Sequence, residues 1–189
     1  MASIRSGKQS ALVVVDVQVG VMEKAWNAPR AIAKVARAVE RARAAGVPVV
    51  WVQHNDQQLV KDSAAWQWVP ELAPREGEVR VHKQYESSFE STTLESELAA
   101  RHVSHIVLAG AASNWCIRAT AYGALDRGYD LTLVKDAHTT SNLDLEGGFQ
   151  IQAEQVVQDL NVVMRWLSYP GRKSATAAAE DVAFITAAA

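Results

Sequence analysis

Uninterrupted apolar runs alternate along the chain with stretches that are apolar on one side only. Ala11-Leu12-Val13-Val14-Val15, Val47 to Val52 and Ile106 to Ala109 contain no polar position, and Tyr129 to Val134 contains only Asp130 and Thr132. Strands covered on both faces read this way. Between them, Ile32, Val35, Ala36, Val39 and Ala42 recur at helical spacing, and Gly46 follows as a helix stop. A second amphipathic pattern, Ile151, Val156, Leu160, Val163 and Leu167, predicts a helix from about Gly148 to Leu167, ended by Tyr169-Pro170-Gly171. Shorter elements fill the rest. Thr92 or Thr93 is expected to cap a helix reaching about His102, with Glu95 and Glu97 in its first turns. Another helix begins near Asn114, where Cys116, Ala119, Thr120, Gly123 and Ala124 share a spacing, just after Gly110 breaks the apolar run. Val79 to Val81 and Ser174 to Ala177 read as short strands, and Gln57 to Glu78 as a long loop. Strand, helix, strand in repetition predicts right-handed parallel crossovers, hence a three-layer α/β domain with about six parallel strands.

Composition narrows the setting. With 189 residues, 49% of them hydrophobic, the chain can bury one core, so residues 1–189 are expected to form one domain. The polar segment 1–10 and the alanine-rich tail 185–189 read as flexible ends. A net charge of −2 spread over both signs points neither to nucleic acid nor to an anionic membrane. Arg30, Lys34, Arg37 and Arg41 line one helix face, but Glu40 interrupts them, and the stripe reads as solvated surface. The single cysteine cannot form an internal disulfide, the N-terminal residues lack an apolar signal region, and no stretch approaches the ~18 apolar residues of a membrane span. A cytoplasmic protein is expected.

Asp16, Lys83 and Cys116 each follow a strand of what should be one sheet, so all three can reach its carboxyl edge, where α/β sheets bind ligands. Taken singly, the cysteine reads more readily as a core residue, the aspartate as a loop cap and the lysine as surface. Together they fit one reaction. A thiolate attacks an amide or ureido carbonyl, the carboxylate moves the proton, and the cation steadies both anions. Cys116 is expected in the first turn of its helix, where the macrodipole favours a thiolate. The Ala111-Ala112 turn and the Cys116 N–H can offer oxyanion donors.

Val14-Val15-Asp16-Val17-Gln18, Lys83 with Ser88-Phe89 and Thr93-Leu94, and Gly110 followed by Cys116-Ile117-Arg118-Ala119-Thr120-Ala121 resemble the isochorismatase-like cysteine hydrolases. The resemblance runs from about Ala11 to Phe184 and includes Gly128-Tyr129, Asp136-Ala137 and Tyr169-Pro170-Gly171 in order. It implies a Rossmann-like sheet, a Cys116-Asp16-Lys83 triad, an oxyanion hole at Ala112 and Cys116, hydrolysis of a C–N bond without a cofactor, and a cis peptide at Ala111-Ala112. The family's nicotinamidases carry a metal site with an Asp-x-His pattern. Here Gln53-His54-Asn55-Asp56 stands after the second strand, and the five histidines show no ligand spacing, so no metal is expected. Isochorismatases proper cleave a vinyl ether and need no cysteine, so Cys116 favours the amidohydrolase branch.

The substrate is expected to be a small molecule held by Gln18, His54, Trp66, Trp68 and Trp115, an aromatic wall suited to a planar amide. The alternative is that the tryptophans pack under the long loop or across a subunit interface. The aromatic residue usual in the family after the Asp-x-Gln segment is replaced by Val19-Gly20-Val21-Met22. Two other functions stay open at this level: a family member without turnover that binds a metabolite or partner protein, and a nucleotide-binding domain. Against the second, Gly110 to Cys116 lacks G-x-G-x-x-G. An apolar helix surface and the family's habits suggest a homo-oligomer, dimer or tetramer.

Overall fold

Alternate residues of the central strands enter two different cores. In the computed structural model, which describes residues 4–186, strand β1 (Gln9–Val15) sends Ala11, Val13 and Val15 to one side and Leu12 and Val14 to the other. Strand β4 (Val103–Ala111) repeats this with Ile106 and Leu108 against Val107, Ala109 and Ala111. The unbroken apolar runs are therefore strands buried on both faces.

The remaining elements are α1 (Val19–Met22), α2 (Ala28–Ala44), β2 (Val49–His54), β3 (Val79–Lys83), α3 (Leu94–Ala100), a π turn (Ser113–Ile117) continuing into α4 (Arg118–Asp126), β5 (Asp130–Thr139), the short pair β6 (Leu143–Asp144) and β7 (Gln150–Ile151), α5 (Ala153–Trp166), β8 (Ser168–Tyr169) and β9 (Arg172–Ala177). The main sheet has seven strands in the order β3-β2-β1-β4-β5-β9-β8. Six are parallel, and β8 adds an antiparallel edge. Two residues carry no legible period, so the seventh strand was not expected. Helix α2 covers one face through Ala31, Val35, Ala38, Val39 and Ala42, while α3, α4 and α5 cover the other through Leu94, Leu98, Ala121, Leu125, Leu160 and Met164. This is the expected three-layer, Rossmann-like arrangement.

Four expectations need correction. Gly110 does not end its strand: it lies inside β4 with φ 126°, and a Cβ there would stand 1.9 Å from the Val15 carbonyl oxygen. The glycine lets β1 and β4 approach closely just before both carry on into the loops. Strand β5 does not stop at Val134 but resumes after a register shift, so that Gly110 pairs with His138 and Ala111 with Thr139. Helix α5 starts at Ala153 rather than Gly148, because Gly147 and Gly148 have φ of 77° and 79°, outside helical space. The chain from residue 4 to 10 is fastened rather than loose: Lys8 N donates to His102 O, and Ser10 exchanges hydrogen bonds with Ile185. The outermost parts of both expected flexible ends, residues 1–3 and 187–189, lie outside the described residues. No helix among the described residues is long and apolar enough to cross a membrane.

Candidate active site

Three strands of the parallel sheet, β1, β3 and β4, deliver the three chemistry-bearing side chains to one edge. Asp16 follows β1 directly, and its backbone adopts φ 51° while its N–H is held by Val52 O at 2.9 Å. Lys83 is the last residue of β3. Cys116 sits in the π turn after β4, which closes when Trp115 N and Ile117 N both donate to Ala112 O at 3.1 Å. A cis peptide bond joins Ala111 to Ala112, where the resemblance implies one. Ala112 itself is extended, with φ −95° and ψ 145°.

Lys83 Nζ lies 2.7 Å from Asp16 Oδ2 and 3.2 Å from Cys116 Sγ, with both charged side chains almost wholly out of solvent. Apart from Lys83 and Cys116, no donor reaches either Asp16 oxygen. The carboxylate therefore keeps its basicity. Burial pushes the Asp16 pKa above the usual carboxylate range, against the pull of Lys83 and Cys116. Burial works on Lys83 in the opposite sense, but the facing Asp16 charge prevails and its pKa is raised. Burial, assisted by the Asp16 charge, pushes the Cys116 thiol up to about 12, with Lys83 opposing. This corrects the expectation from the helix dipole. The dipole acts on the thiolate by about a kcal/mol, and the loss of water around a buried anion outweighs it. The resting site holds a thiol beside an aspartate–lysine ion pair.

His54 and Asp56 stand behind the lysine. His54 Nδ1 is 3.1 Å from Lys83 Nζ, and His54 Nε2 is 3.2 Å from Asp56 Oδ2. The Tyr85 carbonyl accepts from the same ammonium at 3.1 Å. A cleft of about 170 Å³ adjoins Lys83 between Asn55, His82, Gln84, Tyr85 and Ser91.

The expected aromatic wall is mostly not there. Gln18 is fully buried, and its amide donates to His54 O and Trp66 O and accepts from His54 N, each at 2.9 Å. Its side chain fastens the end of β2 to the long loop. Trp66 is buried and stacks on His82 at 5.7 Å. Trp68 packs edge-on against Trp51 at 5.4 Å, in the core on the α2 side, whereas Cys116 borders the opposite core. Both tryptophans hold the long loop down. Trp115 alone of the three is exposed beside the nucleophile, at 54%.

Sequence reasoning missed a second polar chain on the same turn. Buried Ser113 meets His138 Nδ1 at 2.8 Å, His138 Nε2 meets Asn161 Oδ1 at 3.0 Å, and Asn161 Nδ2 donates to Lys135 O at 3.0 Å. His138 lies four residues beyond the apolar run that ends at Val134, and its only signal in the sequence is a histidine near an apolar strand. Among the described residues no three His, Cys, Asp or Glu side chains stand together as a metal ligand set.

Comparison with known proteins places the chain among isochorismatase-like sequences and folds. Residues 10–165 match the model of the isochorismatase domain. The chain is 31% identical over 168 residues to ureidoacrylate amidohydrolase RutB of Methylobacterium radiotolerans, covering 67% of this chain and 65% of that protein. It is 32% identical over 145 residues to streptothricin hydrolase of Streptomyces noursei, covering 73% of this chain and 57% of that one. The match thus spans about two thirds of the first relative's length and less of the second's. An isochorismatase of Pseudomonas putida KT2440 superposes with a TM-score of 0.82 at 27% identity, over 92% of this chain and 90% of that one.

Proposed function

The chain belongs to the isochorismatase family, and from that premise we propose that it is a cysteine hydrolase that cleaves a C–N bond of a small amide, carbamoyl or ureido compound. The observation that carries the reading is Lys83 Nζ set 2.7 Å from Asp16 Oδ2 and 3.2 Å from Cys116 Sγ. Two relatives that are hydrolases by name support hydrolysis, and one of them, an amidohydrolase by name, supports the bond type. In the first step Sγ bonds to the carbonyl carbon, Asp16 takes the thiol proton, and the C=O pair moves onto oxygen. The oxyanion is assigned to the N–H groups of Ala112 and Cys116. Asp16 then gives its proton to the leaving nitrogen as the C–N bond breaks, leaving a thioester. Asp16 next accepts a proton from water, which attacks the thioester, and Sγ leaves as a thiolate paired with Lys83 until Asp16 returns the proton. The scheme uses no metal or cofactor. Trp115 is proposed to border the substrate. The lone unpaired thiol suits a reducing, cytoplasmic setting. Exposed Leu145, Phe149, Ile151, Val162 and Trp166 favour a homo-oligomer.

The test is turnover on a panel of small amides and ureido acids, with mass spectrometry for an acylated Cys116. Wild type should turn over at least one compound, and Cys116→Ala, with an unchanged melting temperature, should turn over none. Turnover retained in Cys116→Ala rejects Cys116 as the nucleophile, and a wild type that neither hydrolyses nor acylates rejects the reading in favour of a binding protein.

A further inference from the structure

Lys83 has three ammonium protons and four neighbours: Asp16 Oδ2 at 2.7 Å, His54 Nδ1 at 3.1 Å, the Tyr85 carbonyl at 3.1 Å and Cys116 Sγ at 3.2 Å. Tyr85 O and His54 Nδ1 take no part in the proposed proton transfer, so they are fixed acceptors. One proton is then left for Asp16 and Cys116 to share. As the thiol proton passes to Asp16, the negative charge moves to sulfur, and that single N–H can follow it.

His54 can accept from an ammonium only if its own proton is on Nε2. Asp56 enforces this tautomer. Its Oδ1 accepts from Gln58 N and Leu59 N, both at 2.7 Å, which turns Oδ2 toward His54 Nε2 at 3.2 Å. The His54 backbone is clamped at the same time, since Gln18 binds both its N–H and its carbonyl. A ring held at its backbone and at one nitrogen has little freedom left at the other. Resting on the function proposed above, we infer that Asp56 and His54 form a positioning relay that pins one Lys83 proton away from the reacting atoms, so that the remaining one tracks the charge between Asp16 and Cys116. His54 thus acts through Lys83 rather than on the substrate.

The protein's single cysteine gives a readout that needs no substrate: the rate of Cys116 alkylation by iodoacetamide on the full chain, at neutral and mildly alkaline pH. His54→Leu removes the acceptor and releases the ammonium to turn toward the standing charge of Asp16 and away from sulfur, so alkylation should slow by roughly tenfold, the equivalent of one pKa unit in the thiol. His54→Asn places a carbonyl oxygen near the Nδ1 position and should restore most of the rate. Two Asp56 variants separate relay from architecture. Asp56→Asn keeps the turn through its carbonyl oxygen but aims an amide N–H at His54 Nε2, which drives the ring proton to Nδ1, facing the ammonium. Asp56→Ala loses the turn but leaves the ring free to choose its tautomer. The relay requires Asp56→Asn to be slower than Asp56→Ala, although Asp56→Ala loses more of the local structure. The reverse order, or a wild-type rate in a folded His54→Leu, overturns the inference; should His54→Leu not fold, the Asp56 pair decides alone. An unreactive wild-type thiol without amide turnover instead removes the function beneath it, and the two failures are thereby distinguished.

Discussion

Ser113 and Cys116 stand on the same π turn, yet the polar chains they head are built oppositely. From Ser113 the chain runs through His138 and Asn161 to the Lys135 carbonyl, every member neutral and both ring nitrogens of His138 hydrogen-bonded. Burial holds His138 down at about 4, so the ring stays uncharged. From Cys116 the chain runs to Lys83 and Asp16, with opposite charges out of solvent, an aspartate that no donor outside this group reaches, and one ammonium proton for a negative charge that moves between carboxylate and sulfur. A saturated buried network has one low-energy arrangement and rigidifies its surroundings. An undersupplied one has two arrangements of similar standing. The first fits the turn to its place; the second lets charge move along it.

The largest effect expected from breaking this contrast is at Asp16. Asp16→Asn keeps the shape but removes the base, and turnover should fall by about 10²–10⁴-fold. The thiol should change in the opposite direction. With the aspartate charge gone, the Cys116 pKa should drop from about 12, remaining above the ordinary value because burial persists. Alkylation would then be faster at a given pH in a variant that turns over more slowly. Slower alkylation together with slower turnover would mean that Asp16 supports the thiolate rather than accepting its proton.

How far this was readable depended on whether a residue's place follows from its own segment. Asp16, Lys83 and Cys116 end apolar runs or follow them closely, so their gathering at one edge follows from a parallel sheet alone. Asp16's left-handed backbone and the approach of β1 to Gly110 are local consequences of the same closeness. His138 escaped because it enters the sheet only after a register shift in β5, and a shift has no period to detect. Trp66 and Trp68 could equally have faced a ligand or the core, since an aromatic residue in a loop carries no directional signal. The thiol's acidity was misjudged because a helix terminus is visible in sequence and desolvation is not.

A smaller effect probes the neutral chain through pH. His138 and His105 are both held down by burial to about 4, from an ordinary 6.5. The folded state therefore binds fewer protons than the unfolded chain between those values, and the stability these groups contribute is present above 6.5 and lost as pH falls toward 4. The loss should be on the order of 3 kcal/mol per histidine at most. Melting temperatures across this range should fall steadily, and His138→Leu, though less stable near neutrality, should fall less steeply. An equal slope in the variant would mean that His138 is protonated in the folded protein, and the two chains would no longer differ in charge.

The smallest expected change is the most informative about the turn itself. Ser113→Ala deletes one hydroxyl and leaves His138 Nδ1 a buried acceptor without a donor, which costs about 1–3 kcal/mol of stability. The backbone of the turn is closed independently by Ala112 O, so Cys116 should keep its place and turnover per folded molecule should stay within about twofold of wild type. Chemical denaturation measures the first quantity and single-substrate kinetics the second. Should turnover fall in proportion to a much larger factor while the thiol still alkylates normally, the oxyanion donors and not the nucleophile would have moved. Ser113, His138 and Asn161 would then belong to the reactive chain's geometry, and the division between a saturated anchor and an undersupplied reactive chain would give way to a single network centred on the π turn.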